Sequence, residues 1–328
     1  MKRTPALLLF WGVTIIALFM VPEIFGVVVS DVFVGFGITA LFAASLNLLV
    51  GYGLFSFGHA LFFGAGAYAT ALGLIHIEGL TFLSSFFLGG LVSGLLALLV
   101  SPILVRVSQI YFTLLTIALN QFVYVSCLKF YEVTGGENGL GNYMIPPLDL
   151  PGISALDMVE KANFYYFSLV VITLSVWLMR FFTKTPFGSI MEAVRDNQMR
   201  VSFLGFQLSV TKTIIFAISG FFAGIAGSCF ALWLNVVDPA STLHLVNISI
   251  LTFLAILVGG LGTFIGPFIG VGLLVLFEEL VLAYGQQAKL AIGLGTILFL
   301  LYAPKYSPLG IMGIYSKIKG RVVNKAES

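Results

Sequence analysis

Apolar runs of membrane-spanning length dominate the chain, and the few polar stretches between them set its organisation. With about 20 apolar residues needed per crossing, spans are predicted near 6–29, 32–50, 54–75, 82–104, 110–129, 164–182, 213–235, 245–260, 266–283 and 289–303. Several are short or rich in glycine, so one or two are expected to be broken or re-entrant. The predicted fold is an all-α polytopic membrane protein of about eight to ten transmembrane helices, with residues 1–328 forming a single transmembrane domain. Met1-Lys2-Arg3 ahead of an apolar run superficially resembles a secretory signal, but Val21-Pro22-Glu23 is a poor cleavage site and the run is read as a first span.

One long polar interruption, residues 183–212, has helical periodicity of its own. Pro186 suits a first helical position, and Thr185 before it suits an N-cap, where its hydroxyl can accept an otherwise orphan N–H. Phe187, Ile190, Met191 and Val194 recur at i, i+3, i+4 and i+7, with Ser189, Glu192, Arg195 and Asp196 opposite, which predicts a short amphipathic helix. Such a helix rests either in the lipid headgroups or in the groove of a soluble partner.

Composition agrees with a membrane protein: 59% hydrophobic residues, 9% charged and a mean hydropathy of +1.08 exclude an ordinary soluble domain. Charge then orients it. With both termini in the cytoplasm, thirteen of the sixteen basic residues fall on that side, and only Lys129, Lys161 and Lys289 fall outside. Asp31, Glu78, Glu132, Glu137, Asp149, Asp157, Glu160 and Asp238 fall outside too. On this topology 183–212 is a cytoplasmic loop, 304–328 a cytoplasmic tail and 130–163 an outer loop, whose glycines and Pro146-Pro147 predict turns. That loop is a solvated face or a docking surface for an extracytoplasmic partner.

Residues that could carry chemistry are sparse. Cys127 and Cys229 are too few and too far apart for a metal site or a disulfide framework. Without a Gly-Lys dipeptide the sequence has no phosphate-binding P-loop, and no acid, base and nucleophile cluster marks an enzyme. Ionisable groups inside spans, the usual marks of ion-coupled transport, reduce to His59 and the Glu278-Glu279 pair, so the driving energy is expected from elsewhere. What remains polar within the spans is mostly neutral, and Asn47, Gly58, His59, Tyr111, Thr116, Asn120 and Asn247 are the candidate lining of a solute path. Ser56, Thr113 and Ser249 belong to the same set, and each such group can instead bond between helices. Small residues four apart, as in Gly90/Gly94, Gly220/Gly224 and Gly262/Gly266/Gly270, predict close helix contact. Two glycine-interrupted stretches, from Gly51 to Gly66 and from Gly259 to Gly266, lie in opposite halves of the chain and suggest broken helices near a solute path.

The same residues carry a family resemblance. Leu46-Asn47-Leu48-Leu49-Val50-Gly51-Tyr52-Gly53, followed by Ser56-Phe57-Gly58-His59-Ala60 and Gly64-Ala65-Gly66-Ala67-Tyr68, resembles the signature of branched-chain amino-acid ABC importer permeases. Collinear matches follow at Thr134-Gly135-Gly136, Asn138-Gly139-Leu140, Phe187-Gly188, Ala193-Val194-Arg195-Asp196-Asn197, Gly205, and Val258-Gly259-Gly260-Leu261-Gly262-Thr263 with Gly266-Pro267. The resemblance implies a multi-pass permease of the bacterial inner membrane that moves leucine, isoleucine and valine by alternating access. It implies four kinds of partner: a second related permease, two cytoplasmic ATPases holding ATP and magnesium, a periplasmic or lipid-anchored solute-binding protein, and membrane lipid. No cofactor is expected in this chain and no nucleic acid. The 183–212 loop would then be the coupling loop, with Glu192, Ala193, Arg195 and Asp196 at the ATPase and Gly205 closing the segment. The general importer pattern of Glu-Ala-Ala with a following glycine is only partly present, because Val194 follows Glu192-Ala193. A urea or short-amide importer shares the resemblance, and an ATP-independent channel or facilitator is the alternative from another class.

Overall fold

The computed structural model describes residues 21–150, 153–282 and 294. Apart from residue 294, the predicted span at 289–303 and the tail at 304–328 lie outside these, as does most of the span at 6–29. The described chain is a multi-pass helical membrane protein. Five single helices and the helical run Pro239–Gly259 are long and apolar enough to cross a bilayer, and two apolar helices are shorter.

Helix α1 spans Val21–Gly51, α2 Ala60–His76, α3 Phe82–Leu104 and α4 Gln109–Lys129. After the short turn α5 at Tyr131–Thr134 come the strands β1 at Leu140–Gly141, β2 at Leu148–Leu150 and β3 at Ile153–Leu156. Helix α6 spans Lys161–Thr183, α7 Pro186–Asp196, α8 Gln198–Phe203 and α9 Leu208–Leu234. The strand β4 at Val236–Val237 precedes α10 at Pro239–Thr242, a π-helical turn at Leu245–Ile250, α11 at Leu251–Gly259 and α12 at Gly266–Leu282.

Two predicted boundaries need correction. The break expected at residues 30–31 is absent; α1 runs through, and its non-helical residue is Gly26. Asp31 is tolerated within the helix because Lys161 and Trp233 both donate to its carboxylate. The span expected to begin at 54 starts as a helix only at Ala60.

Helix α9 is the centre of the bundle and packs against α3, α2 and α1. Small residues allow this: a side chain at Gly66 would collide with the backbone of Gly224, and one at Gly224 with Ser93. The Ser93 hydroxyl lies 2.8 Å from both the Phe62 and Gly220 carbonyls, so three helices meet at one polar point. Around it Phe42, Phe62, Phe63, Phe112 and Phe216 fill the core.

The two ends of the bundle differ in charge. At the acidic end, β1 pairs antiparallel with β4, Leu140 opposite Val237, and the Tyr143 hydroxyl donates to the Ala231 carbonyl. The 130–163 segment thereby folds back on the end of α9. The opposite, basic end holds the C-termini of α1, α3, α6 and α11, with Arg106, Arg180, Arg195 and Arg200 around them.

Candidate functional site

The site begins where α1 stops. The N–H of Leu54 donates to the Leu49 carbonyl and that of Gly53 to the Val50 carbonyl, a Schellman closure. It needs a left-handed residue, and Gly53 supplies it at φ 82°. The chain then runs back without helix through residues 54–59, and α2 starts inside the bundle. His59 Nε2 lies 3.1 Å from the Ser45 hydroxyl, a residue about 9 Å above the end of α1 by the rise of an α-helix. Non-helical backbone at that depth calls for partners from the protein, and neighbouring side chains supply two. Thr113 donates its hydroxyl to the Phe55 carbonyl at 2.8 Å, and the N–H of Ala60 donates to Ser249 Oγ at 2.9 Å. The His59 ring stacks on Phe42, and its Nε2 is also 3.4 Å from the Ser219 hydroxyl. Gly58 lies directly against the Thr116 carbonyl, where any Cβ would collide.

The structure thus gathers Gly58, His59, Thr116 and Asn120 around one re-entrant segment. Three buried polar atoms in this region, Ser56 Oγ, His59 Nδ1 and Asn120 Oδ1, have no hydrogen-bond partner among the described residues. Unpaired buried polar atoms are costly and rare in finished cores, which sets this segment apart. Asn120 uses its amide N–H to reach the Leu243 carbonyl at 3.0 Å. Thr116 turns its hydroxyl back to Thr113 of its own helix. Asn247 lies in the π-helical turn, its N–H donating to His244 Nδ1; such turns often occur at functional positions. Tyr111 is elsewhere: it is 67% exposed, on the outward side of α4 with Ile110 and Leu114.

Asn47 lies at the basic end instead, where its side-chain amide clamps the second glycine break. It donates to the Thr263 carbonyl and accepts from the Gly262 N–H, both at 2.9 Å. The two glycine breaks are therefore in contact, Gly51 against Gly262.

Helix α7 lies under the same place. Thr185 caps it by accepting from the Gly188 N–H, and Pro186 opens it. Met191 and Val194 are buried, and Phe187 packs on Phe182. The apolar face therefore rests on the protein itself. Glu192, Ala193, Arg195 and Asp196 are exposed. Arg195 leans towards the bundle and donates from Nη1 to the Gly51 carbonyl at 3.0 Å, while Asp196 Oδ1 accepts from its Nε at 3.4 Å. Gly205, at φ 88°, turns the chain between α8 and α9.

Between α7 and the two glycine breaks is a cavity of about 150 Å³ lined by Asn47, Tyr52, Arg180, Glu192, Arg195 and Phe264. Arg180 stacks over the Phe264 ring at 4.6 Å. Burial, then the Glu192 charge, push the Tyr52 phenol up to about 12, with Arg195 opposing, so its hydroxyl stays protonated there. Sequence reasoning missed Arg180, Phe264, Ser45 and Ser219: a lone serine in an apolar run has no periodic signal of its own. No group of three metal-ligating side chains occurs among the described residues.

Residues 28–303 match the family described as branched-chain amino acid transport system / permease component. The high-affinity branched-chain amino acid transport system permease protein LivM of Salmonella typhimurium is 28% identical over 281 residues, 79% of this chain and 65% of that protein. The Escherichia coli LivM protein is 27% identical over the same shares. The chain thus spans about two thirds of the length of these two relatives. A probable LivM permease of Methanocaldococcus jannaschii is 24% identical over 90% of this chain and 94% of its own length. No solved structure matches.

Proposed function

Because the chain belongs to the family of branched-chain amino acid transport system permease components, we propose that it is the membrane subunit of an ATP-driven importer for leucine, isoleucine and valine. The observation that carries this reading is α7, whose apolar face is buried on its own bundle while Glu192 and Asp196 are left exposed. An amphipathic helix settled in headgroups would bury its apolar face in lipid; this one offers a rigid charged face to a soluble partner. In the proposed assembly the basic end faces the cytoplasm, and both termini are cytoplasmic. Two ATPase subunits, which hold ATP and magnesium, seat α7, and Gly205 releases the chain from that dock into α9. A second related permease completes the path, and an extracytoplasmic binding protein delivers solute to the acidic end.

The solute path runs past the re-entrant segment. There Gly58 is pressed on Thr116, which describes a closed state, and opening separates α4 from residues 54–59. Ser56, His59 and Asn120 then present neutral polar atoms to a zwitterion, without the fixed charge that would trap it.

The test is reconstitution with the neighbouring permease, ATPase and binding-protein gene products, followed by ATP-dependent uptake of labelled leucine and labelled urea in parallel. Leucine uptake that requires ATP is expected. Urea uptake would change the substrate, and ATP-independent flux through the purified chain would overturn the reading.

A further inference from the structure

Helix α1 has an unusual end. The Schellman closure satisfies the Leu49 and Val50 carbonyls, and the next orphan acceptor of a helix C-terminus is the carbonyl one residue on. That carbonyl belongs to Gly51, and its partner comes from a different element: Arg195 on α7, at 3.0 Å. A cation is also favoured there by the negative end of the helix dipole. The approach is close, because a Cβ on Gly53 would lie 3.3 Å from Arg195 Cγ.

The buried side-chain contacts of α7 are apolar and unselective. Met191 and Val194 hold the helix on the bundle, but neither makes a hydrogen bond that singles out one segment. Arg195 does, and what it grips leads straight into the re-entrant segment. Beyond the turn, the chain is pinned at Phe55 by Thr113, at His59 by Ser45 and Ser219, and at Ala60 by Ser249. His59 and Ala60 are held by three side chains, but Phe55 only by the Thr113 hydroxyl, so a displaced Gly51 is absorbed within residues 52–58, across that single tie and next to the unpaired Ser56 and Asn120 atoms.

We infer that Arg195 is a positioning residue that ties α7 to the re-entrant segment through the Gly51 carbonyl, and that its role is this internal link and not a contact with the ATPase. The inference rests on the reading of α7 as the dock. Asn47, four residues before Gly51 on the same face of α1, provides a second grip that joins the end of the helix to Gly262 and Thr263. Movement of α7 then reaches both glycine breaks together.

The experiment uses the assembled complex with Cys127→Ala, Cys229→Ala and a reporter thiol from Ser56→Cys. Its reactivity toward a small maleimide is measured without nucleotide and with ATP. With Arg195 present, reactivity is expected to change about fivefold or more. In Arg195→Gln the change disappears, uptake falls by a similar factor, and ATPase subunits still co-purify and hydrolyse ATP. Arg195→Lys, which keeps a donor, restores part of the change. Phe55→Cys is the second reporter if the first disturbs folding. A normal nucleotide response in Arg195→Gln overturns the inference, as does no response at either reporter with Arg195 present. Loss of the ATPase subunits from Arg195→Gln overturns it too, since that places Arg195 in the dock. A complex that shows the thiol response but takes up no leucine would refute the substrate reading alone.

Discussion

Trp233 donates its indole N–H to Asp31 across 2.7 Å, fastening α9 to α1 at the acidic end, while Lys161 of α6 reaches the other carboxylate oxygen at 2.6 Å. The two bonds differ in weight. Lys161 is 60% exposed, so the ion pair contributes at most about 1 kcal/mol. Asp31→Ala leaves the partly buried indole N–H without an acceptor and is expected to cost about 1–3 kcal/mol. Thermal unfolding in detergent should therefore show a clear drop in Tm for Asp31→Ala and a small one for Lys161→Met. Equal drops would assign the stability to the ion pair instead.

Asn47→Leu removes a donor and an acceptor from the backbone of the second glycine break at once. Both bonds are only partly buried, so their joint loss is expected to cost about 1–2 kcal/mol, more than for Asn47→Ser, whose shorter side chain leaves room for a bridging water. Limited proteolysis near residues 260–265 would register the difference first.

Glycine contacts divide by what the added methyl would meet. At Gly224 it meets Ser93 and the Gly89 backbone, whereas at Gly94 its nearest neighbour is the Phe221 Cβ at 3.2 Å. Gly224→Val is expected to cost about 1–3 kcal/mol or more by overpacking and to abolish a monodisperse gel-filtration peak. Gly94→Ala should preserve that peak.

On α7, neighbouring positions should separate folding from coupling. Met191 is fully buried, and Met191→Asp is expected to destabilise by several kcal/mol, because an unpaired charge enters a core. Glu192 is exposed, so Glu192→Arg should change stability by less than about 0.5 kcal/mol while weakening capture of the ATPase subunits. Co-purification at matched expression distinguishes the two effects.

Asn120 bears on the path itself. Asn120→Ala removes the unpaired oxygen together with the bond to Leu243, and a raised KM for leucine with unchanged ATP hydrolysis is expected. An unchanged KM with lowered Tm would reduce Asn120 to a helix tie.

The amphipathic helix was fully legible in the chain, cap included, because Thr185, Pro186 and the i, i+3, i+4, i+7 stripe are local signals that need no partner. Most membrane helices were legible too, since a bilayer demands long apolar segments whatever they pack against. The re-entrant start of α2 was only hinted at. Leu54, Phe55 and Phe57 continue the apolar pattern of the neighbouring helices, and hydropathy does not record where backbone hydrogen bonds go.

What the sequence by itself determined is therefore the set of apolar elements, the amphipathic helix between two of them and the two places where glycine breaks the pattern. Only the tertiary structure decided that those breaks touch, that Asn47 and Arg195 both tie the end of α1 to other elements, and that Tyr111 faces away while Asn120 faces in. The reason is physical: helix and span signals arise from neighbours in the chain, whereas the Arg195 to Gly51 bond joins groups 144 residues apart and exists only once α6, α7 and α1 are packed.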